Sequence, residues 1–154
     1  MKQIDEKDFL NDLSIINKQI DKSRLNAWIA VNGEMIKLFY QLGQMINEKG
    51  YSDEIIQRFA AVLEKRSRQC YSYDQLKKMS LFASTFDYDE IISIPFALIT
   101  WGKYVEILER SSSKEEMLWY ITNTLANQWS QETVTKKFDE NAYQNRNSKS
   151  KRKG

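Results

Sequence analysis

The sequence predicts an all-α fold, a helical bundle built around one long central helix. Three observations point to it. Between Ser23 and Gly50, the residues Leu25, Ile29, Asn32, Ile36, Phe39, Gly43 and Ile46 recur at alternating spacings of four and three. That spacing is the stripe of one helix face, and Trp28, Met35 and Leu42, repeating every seven, widen it beyond a coiled-coil seam. One proline and five glycines in 154 residues leave few obligatory breaks. Finally, Ser72 with Gln75 and Ser113 with Glu116 have capping-box spacing, the signature of helix starts.

The elements follow in chain order. Phe9, Leu13, Ile16 and Ile20 give residues 6–20 an amphipathic helical face, and no breaker separates this segment from the long helix. The long helix should stop at Gly50 with a left-handed cap. At about 1.5 Å per residue it reaches about 40 Å, and shorter helices are expected to cover its apolar face. Ser52 caps the next helix, with Asp53 and Glu54 in its first turn and an inward face of Ile55, Ile56, Phe59, Val62 and Leu63, fraying near Arg68. Ser72 opens a helix that buries Leu76, Met79, Phe82, Ala83 and Phe86. Around Pro95 the nearly alternating apolar pattern reads as short helical turns, with a strand as the alternative. Thr100, Ser113 and Ser130 cap three further helices, carrying Trp101, Tyr104, Val105 and Leu108, then Met117, Leu118, Ile121 and Leu125, then Val134 and Phe138. One domain over residues 1–143 is expected, with 144–154 a disordered basic tail.

Composition narrows the class. With 42% hydrophobic and 29% charged residues the chain reads as globular rather than disordered. No apolar run approaches the roughly 20 residues that span a bilayer, and the charged N-terminus lacks a signal-peptide core. With the single Cys70 these features point to the cytoplasm and to no membrane partner. The net charge of +2 hides a split, because Arg146, Lys149, Lys151, Arg152 and Lys153 lie in the last eleven residues. A second basic cluster, Arg58, Lys65, Arg66, Arg68, Lys77 and Lys78 against Glu64 and Asp74, sits in mid-chain.

Catalytic chemistry is missing from the pattern. There is no histidine, no Gly-rich phosphate loop and no cysteine cluster. Cys70 lies near Arg66 and Arg68 but has no base beside it and reads as a free thiol. Acidic pairs such as Asp53-Glu54 and Glu115-Glu116 stand at helix starts, where the helix dipole accounts for them. The expectation is a non-enzymatic chain without metal or cofactor.

Two stretches could bind DNA. Helices over 52–68 and 72–86 have helix-turn-helix proportions, and the second would present Tyr73, Asp74, Lys77, Lys78 and Ser80. Lys77 and Lys78, with Lys65, Arg66 and Arg68, would meet phosphates, though little there could read bases. The tail, with Lys151, Arg152 and Lys153, could bind phosphates without sequence preference, or simply solubilise the chain. Aromatic residues at helical spacings, among them Trp101, Tyr104 and Trp129, are core or subunit-interface residues. Asn32 inside the apolar stripe wants a partner, either within the chain or across a homodimer.

Four motifs carry a resemblance. They are Ala30-Val31-Asn32-Gly33-Glu34-Met35 with Leu38–Ile46, Tyr71–Phe82, Ile99-Thr100-Trp101-Gly102-Lys103-Tyr104, and Leu118-Trp119-Tyr120 followed by Trp129-Ser130. In order and spacing they resemble the "vNxE…LYWxIGxxI", "FSxRNLxxMRxF", "LSWSHY" and "RxFYxxxxxxxxWS" segments of the YhcG family's N-terminal helical domain. The likeness covers residues 23–143. It implies a helical domain that precedes a PD-(D/E)XK nuclease domain and binds DNA or mediates assembly, in a restriction or mobile-element setting. The chain stops where that nuclease would begin, so a stand-alone or truncated module is expected. Asp74, Gln75, Ser80, Lys103, Met117 and Glu132 depart from family positions that favour Arg, Asn or His, which keeps the apolar framework and removes several phosphate contacts. The leading expectation is a non-catalytic DNA-binding module. The alternative is a module that dimerises or docks a nuclease subunit.

Overall fold

A computed structural model describes residues 3–66, 71–93 and 95–152. Helix α1 (Glu6–Lys49) is followed by α2 (Asp53–Leu63), α3 (Tyr73–Thr85), α4 (Tyr88–Ser93) and a 3₁₀ turn (Phe96–Leu98). Then come α5 (Trp101–Arg110), α6 (Lys114–Asn127), α7 (Gln131–Asp139) and α8 (Ala142–Arg152), with no strand among the described residues. The all-α expectation holds, and the two predicted N-terminal helices are one. Nothing between Asp21 and Ser23 removes a backbone hydrogen bond, so α1 runs unbroken for 44 residues. Asp5 caps it by accepting from the Asp8 amide, and Gly50 ends it at φ 62°, the left-handed conformation that glycine adopts without strain.

Short polar side chains set the other starts. Ser52, Ser72, Ser113 and Ser130 each accept a hydrogen bond from the backbone amide three residues on, which satisfies a donor the helix leaves free. Thr100 stands at the N-cap of α5 but its hydroxyl makes no capping bond. Gln75 and Glu116 do not close the predicted boxes on the capping serines. Gln75 accepts instead from the Trp101 indole, and Glu116 from the Ser112 amide and the Gln144 side chain.

The core forms where α1 crosses α3. Gly43 is buried there, and a Cβ at that position would lie 1.9 Å from the Met79 carbonyl oxygen. Only a hydrogen atom fits, so glycine sets how closely the two backbones approach. The Tyr40 hydroxyl donates to the Phe86 carbonyl at 2.8 Å, and Asn47 and Ser80 exchange hydrogen bonds further along the crossing. On one side, Phe39, Ile46, Ile56, Leu76 and Met79 bury together. On the other, Ile36 and Tyr40 join Phe82, Phe86 and the inward faces of α5, α6 and α7. Phe82 touches the rings of Tyr40, Phe86, Trp101 and Tyr104, which ties the two sides into one body.

Two expectations need correction. The shorter helices cover α1 only from about Ile29 onward, and every residue from Gln3 to Trp28 is exposed. Helix α2 stops at Leu63 rather than near Arg68. At the far end of the chain, the first turn of α8 is anchored on the bundle. Tyr143 packs its ring against Trp119 and Gln144 donates to the buried Glu116 carboxylate at 2.8 Å.

Replacing Gly43 by alanine should force α1 off α3, an overpacking cost of about 1–3 kcal/mol and a fall of several degrees in Tm. Thermal unfolding followed by circular dichroism checks this, and an unchanged Tm contradicts the crossing as described.

Candidate interaction surfaces

Helices α2 and α3 are separated by residues 64–72, of which 67–70 lie outside the described residues, against the three or four residues of a helix-turn-helix connection. One flank of α3, with Leu76, Met79 and Phe82, is buried beneath α1 and α5. Its exposed row is Asp74, Lys77, Leu81 and Ser84. Lys77 is bound to Asp53 at 2.9 Å, and Lys78 to Glu109 on α5 at 3.3 Å. Tyr73 is half-buried in the apolar group around Leu76. Lys65 and Arg66 stand exposed in the turn after α2, next to Arg58 in sequence space on the exposed side of that helix. Arg68, Cys70 and Lys153 lie outside the described residues. Lys151 and Arg152 fall in the last turn of α8, with only their backbone described.

The residues proposed for an interface all make contacts inside the chain, while the buried Tyr104 hydroxyl has no hydrogen-bond partner among the described residues. Asn32 donates both amide hydrogens, to the carbonyls of Ala97 and Ile99 at 2.9 and 2.8 Å, and so pins the 3₁₀ turn to α1. Trp101 packs on Phe39 and Phe82 while its indole N–H donates to Gln75 at 2.6 Å. Tyr104 is 1% exposed, and burial pushes its hydroxyl pKa far above the ordinary value. Trp129 is half-buried against Trp119 and, with Lys137 and Arg146, lines a cleft of about 500 Å³ between α6, α7 and α8.

The surface that lacks a partner is the front half of α1. Phe9, Leu13, Ile16 and Ile20 are 50%, 39%, 51% and 45% exposed. They occupy one stripe, and nothing among the described residues packs on it. In an ideal helix of 3.6 residues per turn this stripe lies roughly opposite Ile36, the centre of the face that meets the bundle. Sequence reasoning reads it as an amphipathic face and does not say what covers it. The phase break between the 9–20 row and the 29–46 row was the available signal that it points elsewhere. A second apolar opening, lined by Leu42, Met45, Ile46, Tyr51, Phe59, Leu63 and Leu76, lies between α1, α2 and α3.

Among the described residues no group of His, Cys, Asp or Glu could hold a metal ion, and no helix is long and apolar enough to cross a membrane. The family model of the DUF1016 N-terminal domain matches residues 15–145. The chain belongs to that family. It is the YhcG-type N-terminal domain, and the match carries no nuclease domain with it. No curated protein and no solved structure matches this DUF1016 chain significantly. The matched span takes in the back half of the exposed arm, the whole bundle and the start of α8.

The Asp53–Lys77 pair offers a pH test of the α2–α3 surface. The hydrogen bond and charge of Lys77 hold the Asp53 carboxyl below its ordinary range. A depressed carboxylate contributes stability above its unfolded pKa and loses it as pH falls through the folded one. NMR titration should therefore place Asp53 below an ordinary aspartate, and Lys77→Met should bring it back up. No change in that variant contradicts the pairing.

Proposed function

We propose that this domain is a non-catalytic assembly module, with the front half of α1 as its docking surface. The observation that carries the reading is a helix end of more than five turns that stands clear of its own bundle with a row of large apolar side chains exposed. Isolated helices are marginal in water, and most helical stability in proteins comes from packing an apolar face. Such a row fits a surface that another polypeptide covers. A photo-crosslinking amino acid at Leu13, introduced in cells, should give an adduct with a polypeptide identified by mass spectrometry. The same group at exposed Asp74 should give none. Absence of an adduct at Leu13 overturns the reading.

DNA binding is the second reading, favoured by Arg58, Lys65 and Arg66, exposed cations that form no ion pair among the described residues. Lys77 and Lys78 support it less, since carboxylates already neutralise them. Binding to a short duplex should weaken in Lys65→Ala/Arg66→Ala, flatten in log–log salt slope by about 2, and ignore Lys77→Ala. No binding at low salt rules it out.

A further inference from the structure

We infer that the occupant of the arm is the arm of a second copy of this chain, packed antiparallel. This rests on the assembly reading and names its partner. The first argument is spacing. Phe9, Leu13, Ile16 and Ile20 alternate by four and three, the seam of a two-helix coiled coil. In an antiparallel pair the layers are Phe9 on Ile20 of the second copy and Leu13 on Ile16 of the second copy, each repeated by symmetry. Every large residue of the seam then meets another, and the two-fold operator makes the contact self-complementary and closed.

Charge decides the direction. Residues 5–12 carry Asp5, Glu6, Asp8 and Asp12 against Lys7, whereas 18–24 carry Lys18, Lys22 and Arg24 against Asp21. Apart from the Asp5 cap, none of these side chains has a hydrogen-bond or ion-pair partner in the described structure. Within one helix the sorting is unfavourable, since Asp8 with Asp12 and Lys18 with Lys22 are like charges at i,i+4. On an ideal helix Asp5, Glu6, Asp12 and Arg24 are the charges that flank the seam, and an antiparallel partner lays Arg24 of each arm beside Asp5 and Glu6 of the other. A parallel partner sets like against like.

Access agrees with this. The seam lies roughly opposite the face that α1 gives to α3, so the second copy approaches from the side away from the bundle. The seam is short, at the low end of specific interfaces, and a reversible, concentration-dependent dimer follows.

Sedimentation velocity across the micromolar range should show monomer passing to dimer. Leu13→Glu/Ile16→Glu should remain monomeric with the bundle's near-UV circular dichroism and Tm unchanged. Direction is read in a Cys70→Ser background. Phe9→Cys mixed with Ile20→Cys should form a disulfide-linked dimer under mild oxidation, and Phe9→Cys alone should not. A monomer at every concentration overturns the second copy as occupant, and a Phe9→Cys homodimer overturns the antiparallel arrangement. If the Leu13 photo-adduct in cells is a different protein while the purified chain stays monomeric, the assembly reading stands and this one falls.

Discussion

The close crossing of α1 on α3 is the constraint on which the rest of the structure depends. A glycine at residue 43 lets the α1 backbone settle against the Met79 carbonyl. That depth brings Tyr40 within reach of the Phe86 carbonyl and Asn47 within reach of Ser80. The buried Tyr40 bond satisfies a carbonyl that would otherwise be stranded at the end of α3, and the exposed Asn47–Ser80 pair adds a second tie between the two helices. With the crossing fixed, Phe39 and Ile36 face opposite sides of α3, and the two apolar groups of the core form around it. Asn32 then fastens the 3₁₀ turn one helical turn higher up α1.

The same crossing divides α1 into two halves with different roles. Behind Ile29 the helix is an internal strut. Ahead of it the helix is a lever, held at one end and bare along the other. Four of the bundle's cations, Lys77, Lys78, Arg110 and Lys114, both lysines of α3 among them, are in ion pairs. The arm's charges are not, and they are sorted by sign along its length. This contrast is why the functional emphasis moves from α3, where motif proportions place it, to the arm.

Much of this fold was legible in the sequence because local chemistry and tertiary packing agree. Gly50, Ser52, Ser72, Ser113 and Ser130 bound helices as their side chains demand. The motif residues Trp101 and Gly43 fall at the core, where apolar periodicity puts them. Periodicity shows that a face is apolar but not which body covers it, and only the break in phase between the two rows sets Phe9 and Leu13 apart from Phe39 and Ile46. Lysines 77 and 78 looked like phosphate contacts because their carboxylate partners, Asp53 and Glu109, are distant in sequence. Asn32 was open between two partners for the same reason. The anchoring of α8 was not legible because composition reports apolar content, whereas its hold on the bundle is one aromatic ring and one amide on a buried carboxylate.

The central claim is that the front half of α1 is ordered by the same segment of a second copy of this chain. Amide hydrogen exchange across residues 6–24 of the purified chain, measured at low and high protein concentration, tests it most directly. Protection that grows with concentration in this segment, while α3 and α5 stay equally protected throughout, is the predicted result. Fast exchange in the arm at every concentration would contradict it.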